Sequence, residues 1–272
     1  MDLTRLRKQI AHLAIFFEVP AEFVSEYKLL LEFYHHWSHR QHEDYIPNSF
    51  MLVYDLPSQL IPEIELGLKP YFSQKPQVLM PLADALRKDM HFECSDLAAF
   101  IVGQTPAEGL ELLSIYLTEW LATPLDKAVL EAIFQKATLP FARAGQPTAL
   151  NFLQTLLQSS DNRLANAGLT GLTLLLPSAK IENLPRLFSI IRPLLQGRDV
   201  RQENLELLVH ELAKKSPMET GYFINQILSD TDGKKIEVLA RSFLKYLPEQ
   251  TAASVKQSIL LHQARTAHKP YA

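Results

Sequence analysis

The sequence predicts an all-α protein, a right-handed α-α superhelix built from antiparallel helix pairs. Apolar residues recur at helical spacing in one segment after another, and short turns rich in Pro, Gly, Ser or Asp separate these segments. No segment shows sustained alternation of apolar and polar residues, so strands are not expected. Because each helix has only one apolar stripe, its neighbours must complete the core, as in a stacked helical repeat.

The repeating unit is clearest between Asp199 and Leu247. Its first helix carries one apolar stripe, which consists of Leu205, Leu208, Val209 and Leu212. Lys214 and Lys215 suit the C-terminal end of this helix, where the backbone dipole is negative. Ser216 and Glu219 then predict a capping box around Pro217, so a second helix starts at once. Residues 229–233 close this pair and begin a third helix.

We predict a single repeat domain over residues 1–272 of the chain. In its N-terminal part, residues 1–47, two capping helices precede a His-rich loop that starts at Ser38. Residues 48–272 supply the helix-pair repeats. Inside the repeats, Gly168 and Gly171 fall within a helix, which predicts that a neighbouring helix approaches closely there.

Composition limits the classes of protein that fit. The chain is 47% hydrophobic and 21% charged with a single cysteine, Cys94, so neither disorder nor an internal disulfide is expected. Cys94 lies beside Phe92 and Leu97 and is predicted to be a buried small side chain rather than a nucleophile. No apolar run approaches the length that crosses a bilayer, and the N-terminus lacks a signal-peptide pattern. We therefore expect a cytoplasmic protein that does not associate with a membrane and has no cofactor.

The charge is unevenly distributed along the chain. Residues 1–140 carry 11 basic and 19 acidic side chains, a net −8, whereas residues 141–272 carry 16 and 11, a net +5. Such an asymmetry indicates a nucleic-acid or other acidic partner for the basic half. An ordinary solvated surface explains the same counts.

Several segments resemble one known family. They are Leu82–Arg87 followed by Phe92–Phe100, then Ser160–Leu169, and finally Val200–Pro217. Their apolar spacing and polar markers are similar to the HEAT-like DNA-alkylation-repair family, which comprises alkylpurine DNA glycosylases on an α-solenoid. The resemblance covers most of the chain from about Ser58 onward.

The resemblance implies a concave basic surface that holds duplex DNA, with an acidic residue and tryptophans around the damaged nucleotide. The acidic position matches Asp126, but the tryptophan expected one turn earlier is Ala122. Trp120 precedes Asp126 by six residues, about 240° around a continuous α-helix, so it is not expected to share its face. A simpler role for Asp126 is to complement a helix dipole.

At the other family positions the chain also differs. An arginine that binds the DNA backbone is replaced by Asn166, and the tryptophan and arginine of the C-terminal repeat become Leu207 and His210. The chain therefore resembles a divergent member that lacks most lesion-binding residues. This implies a scaffold without catalysis that binds duplex DNA or another polyanion through its C-terminal half. The alternatives are a glycosylase that excises alkylated purines and a protein-interaction scaffold.

A binding surface follows from the face of the 200–214 helix that its core stripe leaves open. Glu203, Leu207, His210 and Lys214 share that face. We predict that they line one concave surface with Arg163 and Asn166, and that Asp126 faces the same cavity. In the alternative, Leu207 only contacts the next helix pair.

The His-rich segment 35–44 suggests a second kind of site. His35 and His39 are four residues apart, so on a helix they could share a metal ion with His42. The same pattern is typical of an exposed, solvated loop.

Overall fold

The computed structural model describes residues 2–35, 44–45, 51–54, 56–178, 183–196, 200–231 and 234–267. Helices dominate these residues and confirm the all-α class. One exception corrects the prediction that strands are absent. β1 (Asp44–Tyr45) and β2 (Leu52–Val53) form an antiparallel pair, and the Leu52 amide also donates to the Met90 carbonyl oxygen at 3.0 Å. Two residues are too few to show alternation in the sequence.

The chain divides into two compact units, residues 1–152 and 153–272. The helices of the first unit are α1 (Leu3–Leu13), α2 (Pro20–His35), α3 (Leu60–Gln74), α4 (Leu79–Leu86), α5 (Phe92–Val102), α6 (Leu110–Ala122), α7 (Lys127–Ala132) and α8 (Leu139–Arg143). Helix α9 (Gln146–Gln158) runs into the second unit, which adds α10 (Asn162–Ser178), α11 (Leu184–Leu195), α12 (Gln202–Lys215), α13 (Pro217–Asp230), α14 (Lys234–Phe243) and α15 (Glu249–Ala267). The prediction of one repeat domain stays a prediction.

Helix α5 is the centre of the first unit. It packs against α3, α4 and α7, and against a π-helical turn formed by Ile133–Ala137. Lys136 of that turn donates to Glu65 of α3 and to Asp96 of α5, both at 2.6 Å. The turn passes so close to α5 that a Cβ at Gly103 would lie 2.2 Å from the Lys136 carbonyl oxygen. Charge pairing and close packing therefore hold the three elements together.

In the second unit, each helix contacts the helix after next. Helices α10, α12 and α14 form one row, and α11, α13 and α15 form the other. This is the arrangement that one-sided apolar stripes require, and the predicted stripe of α12 is buried. Close packing at Gly168 is also confirmed, since a Cβ there would lie 3.0 Å from Leu156 and Leu157 of α9. The superhelical arrangement and its hand stay predictions.

The predicted capping box at the start of α13 is wrong in one respect. Ser216 is the N-cap and Pro217 the first helical residue, but the Ser216 side chain makes no capping hydrogen bond. Its backbone amide instead donates to the Leu212 carbonyl oxygen at 2.8 Å and closes the end of α12. Two helices meet at this residue, so its conformation is a compromise between them.

Cys94 is fully buried, as the sequence predicted. Burial raises the pKa of its thiol. Thiolate chemistry is therefore disfavoured at this position.

Among the described residues, no helix has the length and apolar character to cross a membrane.

Next to Cys94 in the sequence, Glu93 is a buried carboxyl group at the first turn of α5. Its side chain is 5% exposed, Oε1 accepts from the Tyr54 amide at 2.9 Å, and Oε2 has no hydrogen-bond partner. Burial, opposed by backbone hydrogen bonds from Glu93 and Tyr54 and aided by the charge of Asp96, raises the pKa of Glu93 to about 7. The folded protein therefore holds this carboxyl protonated well above the pH at which it ionises when unfolded.

The raised pKa of Glu93 should make the free energy of unfolding depend on pH, and replacement of Glu93 should remove this dependence. In the unfolded chain the group ionises near its ordinary pKa of 4.5, so the wild-type free energy of unfolding falls as pH rises from there to about 7. Glu93→Gln removes this loss and should be more stable than wild type at pH 8 by up to about 3 kcal/mol. Urea unfolding at pH 5 and pH 8 measures the difference. Exposed Glu108→Gln is the control, and an equal pH slope in Glu93→Gln and wild type contradicts the account.

A buried polar pair holds the end of the second unit together. His262 of α15 is 1% exposed; its Nε2 lies 2.7 Å from the Thr231 carbonyl oxygen and its Nδ1 lies 2.7 Å from Glu237 Oε1. Because a carbonyl oxygen only accepts, Nε2 must carry a proton, and a second proton must lie between Nδ1 and the carboxyl group. The pair therefore joins α15 to α14 and to the chain that follows α13.

Removal of His262 should strongly destabilise this unit. His262→Ala leaves the Glu237 carboxylate and the Thr231 carbonyl oxygen without this donor, which costs about 3–5 kcal/mol for a broken buried pair. Urea unfolding followed by circular dichroism measures the change. Gln257→Ala at an exposed position of α15 serves as the matched control. A loss below about 1 kcal/mol, the size of an ordinary surface effect, would show that the pair is not needed.

Candidate nucleic-acid interface

Asp126 lies in the first unit and has a structural role. The chain leaves helical conformation at Thr123 and re-enters it after Asp126, which is the N-cap of α7. Its Oδ1 accepts from the Ala128 amide at 3.1 Å, and the residue is 8% exposed. Asp126 therefore satisfies an amide at the start of α7; the sequence placed it inside the helix, as its third residue.

The break before α7 also corrects the expected positions of Trp120 and Asp126. The angle of 240° assumed one continuous helix, but α6 ends at Ala122. Trp120 and Asp126 in fact line the same cavity, of about 180 Å³, together with Arg87. Arg87 lies over the Trp120 ring at 5.8 Å and donates to Asp84 at 2.7 Å. An extended linker thus brings together two residues that the helical wheel separated.

The other predicted site residues, Arg163, Asn166, Leu207, His210 and Lys214, belong to the second unit. Whether Asp126 faces the same cavity as these stays a prediction. Arg163 is exposed in the first turn of α10. Both polar atoms of the Asn166 side chain form hydrogen bonds. Nδ2 donates to the Asn162 carbonyl oxygen at 2.7 Å, and Oδ1 accepts from the Arg201 amide at 2.8 Å. It therefore positions the start of α12 as well as lying on α10.

Leu207, His210 and Lys214 lie along one face of α12, at i, i+3 and i+7. Leu207 is 54% exposed. His210 Nε2 lies 3.2 Å from Ser242 Oγ of α14, and that hydroxyl donates to the Leu239 carbonyl oxygen at 2.8 Å. Since the hydroxyl proton is used, His210 must donate from Nε2. This bond fixes the register between α12 and α14.

With that register, α14 supplies a second row of the same spacing. Val238, Arg241 and Lys245 also stand at i, i+3 and i+7, and Val238 is 57% exposed. Lys245 belongs to a 3₁₀ turn, Leu244–Tyr246, that continues α14. We call Leu207, His210 and Lys214 of α12, Val238, Arg241 and Lys245 of the second row, and Tyr246 the paired-row surface.

Tyr246 is the point at which the cations of both rows meet. Lys214 Nζ lies 5.8 Å and Lys245 Nζ lies 4.9 Å from its ring centroid, and the His210 ring packs at 5.2 Å. An aromatic ring attracts ammonium groups through its quadrupole. Two lysines from different helices are thus held beside one ring.

The paired-row surface is not purely basic. Lys214 pairs with Glu211 at 2.6 Å, and this hydrogen bond raises the pKa of Lys214. Glu203 is exposed one turn before Leu207. Within the described part of the chain, Lys245 forms no ion pair with a carboxylate. The cationic character therefore increases from α12 towards the end of α14.

Sequence reasoning found only the α12 row. The alignment of a second row beside it, with Val238 and Tyr246, was missed. The repeated spacing of Leu207, His210 and Lys214 in Val238, Arg241 and Lys245, at a constant offset, was a signal that could have found it. The contact with Tyr246 needs the register, which the sequence does not show.

A different surface lies between α11 and α13. It is a groove of about 610 Å³ whose lining is mostly apolar, with Phe188 and Phe223 stacked at 4.4 Å. Met218 and Tyr222 are exposed along it. Arg192 lies at one end and is neutralised by Asp230 at 2.9 Å. The groove therefore offers apolar contacts and little net charge.

A metal centre is not supported among the described residues, which contain no group of three or more His, Cys, Asp or Glu side chains suited to an ion. Of the predicted ligands, His35 is the last residue of α2 and packs edge-on against Tyr54 at 5.9 Å. His39 and His42 lie outside the described residues. The metal hypothesis therefore stays untested for this segment.

Comparison with protein-family models, with curated proteins and with solved structures finds no match to this chain. The resemblance to the DNA-alkylation-repair family thus depends only on the segments that suggested it. The candidate interface has to be judged from its own geometry and charge.

Proposed function

We propose that this protein is a HEAT-like helical-repeat scaffold that binds nucleic acid through the paired-row surface and does no chemistry on it. The observation that carries this is the meeting of Lys214 and Lys245 at the ring of Tyr246. Phosphate groups are the natural partners of such clustered cations, because neutralising them releases counterions. The net charge of +5 over residues 141–272 supports the same partner.

The placement of the two lysines favours an anionic polymer over a single small anion. Like charges held near one ring repel each other, and an approaching chain of phosphates reduces that repulsion at both groups. Arg241 lies one turn before Lys245 and extends the cationic edge along α14. A ligand with several phosphates can contact all three side chains, which a lone ion cannot.

Binding should be weakened by loss of one cation and by high salt. We expect Lys245→Gln to lower the salt slope of log K by about 1, since one phosphate contact is lost. His210→Glu should weaken binding further, because it adds a negative charge to the surface, and it should leave the helix content unchanged although it loses the bond to Ser242. Fluorescence anisotropy with labelled oligonucleotides at several salt concentrations measures both, and circular dichroism checks the fold.

Lys256→Gln is the matched control, since Lys256 is an exposed lysine of α15 that is not part of the paired-row surface. It should bind like wild type. Absence of oligonucleotide binding, or binding that does not change with salt, would contradict the proposal.

A glycosylase is the second candidate, and the cavity shared by Trp120, Asp126 and Arg87 favours it. Excision of an alkylated purine needs aromatic faces and a carboxylate around the developing positive charge. However, Trp120 is almost fully buried, and Asp126 Oδ1 already binds the Ala128 amide. Ala122, Asn166, Leu207 and His210 replace the other family residues. Binding without excision fits these residues better.

We therefore predict no release of 3- or 7-methylated purines from alkylated DNA. Chromatography of the supernatant after incubation of methylated DNA with the protein measures this. Asp126 acts as the cap of α7 through Oδ1, so Asp126→Asn should change helix stability slightly and base release not at all. Release that is present in wild type and abolished in Asp126→Asn would establish the enzyme instead.

A protein-interaction scaffold is the third candidate, and the groove between α11 and α13 favours it. Its exposed Met218 and Tyr222 are residue types that recur at protein interfaces. Affinity there would change little with salt, because Arg192 is already paired. The salt dependence measured above separates this class from nucleic-acid binding.

A further inference from the structure

We propose that the paired-row surface selects single-stranded over duplex nucleic acid. This rests on the proposed function and specifies its ligand. The reason is the pair of exposed apolar side chains, Leu207 and Val238, which occupy equivalent positions on α12 and α14. A polyanion that binds the cations of this surface either buries these two side chains or leaves them exposed to water.

Leu207 and Val238 form the apolar end of the surface. Leu207 lies about one turn before His210 on α12, and Val238 lies about one turn before Ser242 on α14; the side chains of His210 and Ser242 are 3.2 Å apart. Each stands seven residues before a lysine, Lys214 or Lys245. Along α12 this spacing corresponds to about 10 Å. The surface therefore has an apolar end and a cationic end within reach of one short ligand segment.

A duplex complements only one of these ends. Its outer surface consists of phosphates and sugars, and its base faces are stacked inside. A leucine and a valine on an exposed helix face would then lie against charged, hydrated groups. The two side chains belong to helices that pack side by side, and such a pair is broader than the single helix that the major groove admits.

A single strand complements both ends. Its bases can unstack and present apolar π-faces, which recognition of single strands commonly uses. These faces can cover Leu207 and Val238 while the phosphates follow Lys214, Arg241 and Lys245. Leu207 and Val238 have no hydrogen-bonding groups with which to read base edges, so the binding should tolerate many sequences.

The test compares two ligands and one pair of variants. Anisotropy is measured with a labelled oligothymidylate of about 20 nucleotides, which does not pair with itself, and with a mixed-sequence duplex of about the same length. We expect the single strand to bind at least about tenfold more tightly at the same salt concentration. The double variant Leu207→Ser/Val238→Ser should lower single-strand affinity about fivefold or more and leave duplex affinity unchanged.

Both substitutions lie at exposed positions, so the fold should be retained, and circular dichroism verifies this. The control is Leu112→Ser, which replaces another exposed leucine, on α6 of the first unit. It should leave both affinities unchanged, and a loss equal to that of the double variant would overturn the assignment to this surface.

The outcomes separate this inference from the proposed function. Equal affinity for the two ligands, with the salt slope retained, overturns strand selection and keeps nucleic-acid binding. Absence of binding to both overturns the proposed function itself. A third outcome is that an acidic amphipathic peptide binds the wild type, binds the double variant more weakly, and is not displaced by either nucleic acid. This result would overturn strand selection and the proposed function in favour of a protein partner.

Discussion

One-sided burial is the constraint on which this structure depends. Each helix of the second unit has a single apolar stripe, and α12 buries its stripe between α10, α13 and α14. The contacts run from α10 to α12 and from α12 to α14, so the stripes of these helices face a shared core. Outside the stripes, Leu207 of α12 and Val238 of α14 are exposed, and Lys214 and Lys245 both lie beside Tyr246.

Polar contacts then fix how far neighbouring helices slide along each other. Asn166 of α10 binds the Arg201 amide at the start of α12, and His210 of α12 binds Ser242 of α14. Apolar packing alone tolerates shifts of a turn, whereas a hydrogen bond of normal length does not. The side chains that the sequence suggested as ligand contacts are in part the ones that set the register. The proposed binding surface and the helix packing therefore share these residues.

The errors of sequence reasoning have definite physical causes. Trp120 and Asp126 were separated because a continuous helix was assumed, but a β-branched residue and a proline at 123–124 start an extended linker. Ser216 was expected to cap α13 with its hydroxyl, yet its amide is held by the end of α12. In both cases the local pattern was recognised, and a neighbouring element decided the conformation. Short strands such as Leu52–Val53 fall below the length that periodicity can detect.

The sequence by itself determined the helices, their buried stripes, the buried Cys94 and the basic C-terminal half, because these follow from spacing and composition within a few turns of chain. It also placed Leu207, His210 and Lys214 on one open face of α12. Only the tertiary structure joined that face to Tyr246, beside which Lys245 also lies. Those contacts cross about 30 residues of chain, and their geometry is set by the register of packed helices, which no local pattern records.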